Sequence, residues 1–359
     1  MPTLATFNAN NFFLRYRFAG TFPGDQSNKS KVEAADVSLG FIPERAFGRY
    51  LSKDFVVWDP TRRDLAAQAL AEADRRLPDI LCLQEVENMD AIRVLNERHF
   101  GGHYKYPLLI DGYDPRNIDV ALLSVYPIVG IRSHLDDHEK GKRILSRDCL
   151  EVTLKIGARS ELTLFINHLK SKFVDPKLEP AAKKKAALTG HQHRKKQAAH
   201  VAKLVKERFA GKHDTALYAV VGDFNDTEES PYLAPLLDSS LLVDTLAETR
   251  DPNDRWTYYW RAKGRVQQID YILASRALAK RIQGSHIERA GLGFRQLSQD
   301  GLILPKQVTL THFEDDGSTP RPRGATADEK IDFPTERYEP ILENVSNNIS
   351  DHCPVTVWF

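Results

Sequence analysis

The chain has 359 residues, and its 50 Lys and Arg balance 49 Asp and Glu to a formal net charge of +1. That balance excludes a protein that coats nucleic acid by bulk positive charge, and a 42% hydrophobic content excludes a charged disordered chain. The length suits roughly two domains of about 150 residues or one large layered domain.

In chain order, residues 3–8 read as a strand. Residues 20–58 are polar, rich in Gly, Pro, Ser and Lys, and read as an insertion. Residues 61–76 read as a helix capped by Thr61, with Leu65, Ala66, Ala69, Leu70 and Ala73 on one face. Pro78 ends that pattern, and 79–83 is a buried strand. Further strands are expected at 119–124, 149–156, 162–168, 216–222, 267–273 and 354–359. Within 149–156, Leu150, Val152, Leu154 and Ile156 alternate with other residues at the period of a half-buried strand. A helix is expected over about 181–209, with Ala198, Val201, Ala202 and Val205 on one face. Residues 289–345 read as a second polar insertion, without periodicity from Gly317 to Lys330.

Cys82, Cys149 and Cys353 are far apart and odd in number, so buried free thiols are expected rather than a disulfide framework or zinc knuckle. The chain starts without a basic stretch leading into an apolar core, and no apolar run approaches about 18 residues. A cytoplasmic protein without a membrane span is the expectation. Many short strands and few helices fit an α/β fold, a two-sheet mixed β-sandwich flanked by helices. Neither a GxGxxG after a strand nor a GxxxxGK[ST] occurs, so dinucleotide and P-loop folds lose their support.

The expected strands end in polar residues of one chemical kind. Asn8, Asn10 and Asn11 follow the first, and Gln84 and Glu85 the second. Asn167, His168, Lys170 and Lys172 cluster at 167–172, and Asp223, Asn225 and Asp226 at 222–226. Asp270 lies in the next run, and Asp351 and His352 precede the last strand. Such groups are costly to bury without partners. Gathered at one sandwich edge, they make an oxygen-rich pocket with two imidazoles, suited to a hard cation such as Mg²⁺ or Mn²⁺.

Six segments in order carry a resemblance. They are Thr6-Phe7-Asn8, 83–88 (LQEVEN), 167–172 (NHLKSK), 222–226 (GDFND), 269–273 (IDYIL) and 350–355 (SDHCPV). The set resembles the endonuclease/exonuclease/phosphatase superfamily, with the fold of pancreatic-type deoxyribonuclease. Residues 116–124 (RNIDVALLS) also resemble a motif of a bacterial subgroup of predicted nucleases. The resemblance implies one domain over 1–359 carrying the insertions at about 20–58 and 289–345. It implies metal-assisted phosphoester hydrolysis with Mg²⁺ or Mn²⁺. Glu85 would be the main metal ligand, with Asn10 and Asp351 near it and Asn8 in the same shell. Asp223 would orient or deprotonate the attacking water, and Asn225 would donate to a phosphoryl oxygen. His352, held by Asp270, would bind or protonate the phosphate, with His168 as a second imidazole. Asn10 stands where several relatives carry Asp or Glu, which removes one negative ligand.

Arg116, Asp119, Asn167, Lys170 and Lys172 are the expected substrate contacts. Each has a plainer reading: Arg116 and Asp119 as a local ion pair, Asn167 as a strand cap, the lysines as a solvated face. Gly-Asp-x-Asn at 222–225 is good turn chemistry on its own. Between His168 and Arg208 lie twelve Lys or Arg and three Asp or Glu, so a local positive field sits inside the near-neutral total. Trp256, Tyr258, Tyr259 and Trp260 offer either packing or a stacking platform for bases. The expected protein is a monomeric nuclease or phosphodiesterase acting on nucleic acid or a small phosphoester. A phosphomonoesterase or sphingomyelinase-like phosphodiesterase is the second reading, and a non-catalytic scaffold the third.

Overall fold

Strand alternation decides the layers. The computed structural model describes residues 1–12, 60–71, 76–114, 116–292, 295–296, 302–303, 305–338, 341 and 349–359. The expected insertion at 20–58 lies outside them. The strands that carry the site are β1 (Thr3–Phe12), β2 (Ile80–Val86), β3 (Asp119–Ser124), β4 (Ser160–His168), β5 (Leu217–Asp223), β6 (Asp270–Ser275) and β7 (Val355–Trp358).

Sheet one has the order Gly284–Ile287, β7, β1, β2, β3, Tyr106–Leu109. Sheet two has the order Leu242–Asp244, β6, β5, β4, Leu150–Gly157, Ile128–Arg132. Both are mixed: β1 runs parallel to β2 and β4 to β5, while β7 and β6 run antiparallel to β1 and β5. Leu4, Ile80, Cys82 and Val120 of sheet one share an apolar cluster with Leu164, Ile166, Ala219, Val221 and Ile272 of sheet two. These are alternate residues, because successive side chains point to opposite faces.

The intervening residues face outward onto helices. Phe7, Leu81 and Leu83 pack with Leu65, Ala69 and Leu70 of the helix Pro60–Ala71. Phe165, Tyr218 and Val220 pack with Ala198, Val201 and Val205 of the helix Pro180–Arg208. The result is an α/β fold of two packed mixed sheets flanked by helices. The first helix is described over Pro60–Ala71, which includes Thr61, and the expected continuation to 76 with Ala73 lies outside the described residues. Among the described residues, no helix is long and apolar enough to cross a membrane.

Two elements depart from expectation. The run expected over 267–273 breaks at Gln268 and Ile269, separating Arg265–Gln267 from β6. Part of the 289–345 stretch is structured: Gln307–Leu310 and Glu329–Asp332 join Tyr258–Trp260 and Arg265–Gln267 in a four-stranded sheet. Its short strands alternate too briefly to stand out in the sequence.

Gly222 precedes Asp223 at the end of β5 with φ 130°, and a Cβ there would lie 2.0 Å from the Asn167 carbonyl oxygen. The close approach of β4 and β5 therefore needs glycine. Gly222→Ala is expected to destabilise the fold by roughly 2–5 kcal/mol through overpacking and backbone strain. Urea unfolding measures it; an unchanged midpoint would contradict the close approach.

Candidate active site

On each inner strand face the apolar row stops at the same level and a polar side chain takes the next place. Leu4 leads through Thr6, which bonds the Gln84 side chain, to Asn8; Ile80 and Cys82 lead to Gln84, Leu164 and Ile166 to His168, and Ala219 and Val221 to Asp223. β6 and β7 run the other way, so their leading residues, Asp270 and the Asp351-His352 pair before β7, arrive at the same edge. Register makes this concrete: Asp223 sits opposite both His168 and Asp270.

Asp223 is the hub. Its Oδ2 accepts from Asn8 Nδ2 at 2.8 Å and from Asn225 Nδ2 at 3.0 Å, and its Oδ1 accepts from the Asn225 backbone at 2.7 Å. His168 Nε2 lies 3.4 Å and His352 Nε2 3.9 Å from Oδ2. Burial pushes the Asp223 carboxyl up to about 7, His352 pulling it down and Asp270 adding to the rise. Asn225 reaches its place with φ 55°, an uncommon left-handed backbone that Asn tolerates better than most residues. Its amide also donates to the Leu169 carbonyl at 3.1 Å, so both of its N–H bonds are engaged within the protein.

His352 is held from behind. Its Nδ1 lies 2.9 Å from Asp270 Oδ2, and Thr257 Oγ1 donates to that same oxygen at 2.7 Å. Asp270 is fully buried, and these bonds supply its partners. Burial pushes the His352 imidazole down, but the Asp270 and Asp223 charges outweigh it and hold it up at about 10. The ring is thus a cation at neutral pH. The Tyr258 ring packs against it, with centroids 4.9 Å apart. Ser350 joins the two chain ends, donating to the Asn8 carbonyl at 2.9 Å and accepting from the His352 backbone at 3.0 Å. His168 has the opposite electrostatics. Burial, then Arg147 and Arg116, hold its ring well below the usual imidazole range, so it is neutral.

Glu85 leaves the ladder. The β2 register shifts between Gln84 and Val86, and Glu85 has φ 61°. A bulge of this kind re-aims a side chain at a cost in backbone strain. Its Oε2 accepts from the Asn11 backbone at 3.0 Å, and its Oε1 lies 3.7 Å from His168 Nε2 and 4.0 Å from Arg116 Nη2. Asn10 Nδ2 donates to Asp351 Oδ1 at 2.8 Å. Burial pushes the Glu85 carboxyl up despite Arg116, His352 and Arg147, with Asp351 adding to the rise. These donors fit a divalent cation: they are hard oxygens on partly buried side chains, two of them carboxylates. The His168 Nδ1 atom is buried with no hydrogen-bond partner among the described residues.

The structure brings Asn8, Asn10, Glu85, His168, Asp223, Asn225, Asp270, Asp351 and His352 into one network. Arg116 stands at its edge, 3.4 Å from Asp114 as well as near Glu85. Asp119 lies outside it. Its Oδ1 accepts from the Gly112 backbone at 2.8 Å, and burial pushes its carboxyl up to about 7. Asn167 follows strand parity onto the other face from His168; its amide donates to the Phe165 carbonyl. Lys172 is neutralised by Asp226 at 2.8 Å and Glu314 at 3.1 Å. Lys170 Nζ donates to the Ser171 carbonyl and lines a groove with Phe173 and Lys185.

Arg147 and Thr257 were not singled out in the sequence, while Ser350 entered only within the 350–355 segment and Tyr258 only as a candidate stacking residue. Arg147 is buried, donates to the His168 and Leu169 carbonyls at 3.2 and 3.1 Å, and pairs with Asp114 at 3.0 Å. An Arg flanked by Leu145 and Cys149 just before a strand was the available signal.

The sequence pattern of the Endonuclease/Exonuclease/phosphatase family matches residues 5–352, from the start of β1 to His352. The chain belongs to this family. Its members are usually metal-dependent phosphoester hydrolases, which suits the donors around Glu85. Among solved structures, a family protein from Beutenbergia cavernae is similar at 16% identity and a TM-score of 0.51, covering 99% of this chain and 70% of that one. Another from Bacteroides thetaiotaomicron has 16% identity and a TM-score of 0.48, covering 99% and 96%. Truncated TDP2 of Caenorhabditis elegans has 15% identity and a TM-score of 0.47, covering 83% and 89%. At such identity the first likeness extends to the fold. No curated protein sequence matches the chain significantly.

Proposed function

We propose that this family member is a phosphodiesterase, most simply a nuclease, with Mg²⁺ or Mn²⁺ as its cation. The observation that carries the reading is the meeting of Asp223, a hydrogen-bond acceptor, with a cationic His352 3.9 Å away, beside Glu85. Glu85, Asp351 and the Asn10 side chain would hold the cation. When bound, it would neutralise phosphoryl oxygen charge.

The chain's own residues supply the rest. Asp223 accepts the proton of the attacking water, and Asn8 and Asn225 fix its carboxylate for that task. His352 donates to a phosphoryl oxygen as negative charge grows there, and Asp270 keeps it charged and oriented. His168, neutral, donates from Nε2 on the same side as Asp223. A contact of Asn225 with phosphate requires exchanging one of its two present bonds. Arg116 lies at the edge of the same network, where it would meet an incoming anion. The groove with Lys170, Phe173 and Lys185 is lined by the segment that follows the His168 strand in sequence, and its lysines suit an extended anionic substrate over a small monoester.

A panel of plasmid DNA, RNA, a chromogenic phosphodiester and a chromogenic phosphomonoester tests this reading. Cleavage of the diesters with Mg²⁺ or Mn²⁺ is expected. Turnover of the monoester alone would replace it with the phosphatase reading.

The electrostatics also fix a pH profile. Asp223 must be deprotonated and His352 protonated. kcat/KM is therefore expected to rise through an acid limb near pH 7 and fall through an alkaline limb near pH 10, where these two groups titrate. Initial rates across pH check it; a flat acid side down to pH 4 would contradict the role of Asp223.

A further inference from the structure

A second cluster of ligating side chains shares no residue with the Asp223 network. His134 and Asp137 lie in the loop after Ile128–Arg132, and His200 lies on the helix Pro180–Arg208. His134 Nδ1 is 2.9 Å and His200 Nε2 2.7 Å from the same oxygen, Asp137 Oδ2. One ligand atom from each residue falls within 4.8 Å of the other two. We propose that His134, Asp137 and His200 form a second cation site, selective for a borderline transition ion such as Zn²⁺.

Three features support it. The donors are two imidazole nitrogens and one carboxylate, a set that suits Zn²⁺ and not the hard cations favoured near Glu85. The buried His134 ring is oriented from behind: its Nε2 lies 3.3 Å from Glu151 Oε2, and Arg208 Nε donates to Glu151 Oε1 at 2.8 Å. A carboxylate on the far ring nitrogen is the usual support of a metal-binding histidine, because it fixes the tautomer and aims the other nitrogen. The third feature is reach. Zn²⁺ bonds of about 2.0–2.1 Å in a tetrahedron space the ligand atoms about 3.3 Å apart. The two contacts to Asp137 open to that spacing with shifts of roughly half an ångström, and the two imidazole nitrogens already lie within 4.8 Å of each other. The Asp137 side chain is 36% exposed, so a water can complete the coordination. The pair His191 and His193, two apart on the helix, does not contribute. His191 Nε2 lies 2.6 Å from Asp316 and His193 Nε2 3.0 Å from the Ile144 carbonyl.

Co²⁺ titration of the chelator-treated full chain tests the site, because four-coordinate Co²⁺ absorbs visibly. One equivalent is expected to give the absorption band in the unmodified protein and in Glu85→Gln, and the band is expected to be lost in His200→Gln and Asp137→Asn. Asp137→Asn keeps the side-chain shape and an acceptor oxygen, so the loop persists while the anionic ligand is gone. No band in the unmodified protein, a band that disappears with Glu85→Gln, or bands intact in both His200→Gln and Asp137→Asn would overturn the proposal.

Discussion

Asp223→Asn is expected to lower kcat for phosphoester hydrolysis by about 10²–10⁴-fold, the range of a lost general base. The carboxylate is the point where Asn8, Asn225, His168 and His352 converge, so nothing nearby replaces it. Asn keeps one acceptor oxygen but turns a donor toward the Asn8 or Asn225 amide. That mismatch costs about 1–3 kcal/mol of stability. Steady-state rates and a thermal melt separate the two effects. A variant within threefold of the original rate would remove Asp223 from the chemistry.

Glu85→Gln is expected to have the opposite stability signature. Cation affinity is expected to fall at least about 100-fold, since a charged ligand at a hard-cation site is lost outright and even supporting residues there cost 10–100-fold. The fold is expected to melt at the same temperature or higher. Glu85 is largely but not fully buried, its carboxyl is pushed up by desolvation, and its backbone is held at φ 61°. Gln retains an oxygen for the Asn11 backbone while removing the charge that burial disfavours. Stability held in reserve for function is released in this way. Isothermal titration with Mn²⁺ and a melt without added cation measure both parts. Undiminished Mn²⁺ affinity, or a melt several degrees lower, would contradict the account of Glu85.

Much of this site is legible from alternation together with the six ordered segments. Leu162, Leu164 and Ile166 mark the inner face of β4, and His168 continues that parity. The same parity sends Asn167 to the opposite face, a consequence the motif reading overlooked when it grouped both as site residues. Asp119 illustrates a different limit. Its spacing from Arg116 suggested an ion pair, but its bond is to the Gly112 backbone, and Arg116 turns to Asp114 and Glu85. Local spacing did not reveal which of several carboxylates a long side chain would reach. Thr257 and Asp270 meet across a break between strands, and Ser350 joins a residue 342 positions away. Such contacts depend on sheet order, which periodicity does not encode. The four-stranded sheet escaped for a related reason: its strands are three or four residues long and two lie in polar sequence. His134, Asp137 and His200 carry no motif, and only the packing of the long helix onto the loop brings them together.

The central claim is that one edge of the sandwich is a cation-dependent phosphodiester-cleaving centre. Hydrolysis of a chromogenic phosphodiester by the chelator-treated chain, before and after addition of Mg²⁺ or Mn²⁺, tests it most directly when run beside Asp223→Asn. The account predicts turnover only with the cation and only in the unmodified chain. Equal turnover without cation, or in both proteins, would contradict it.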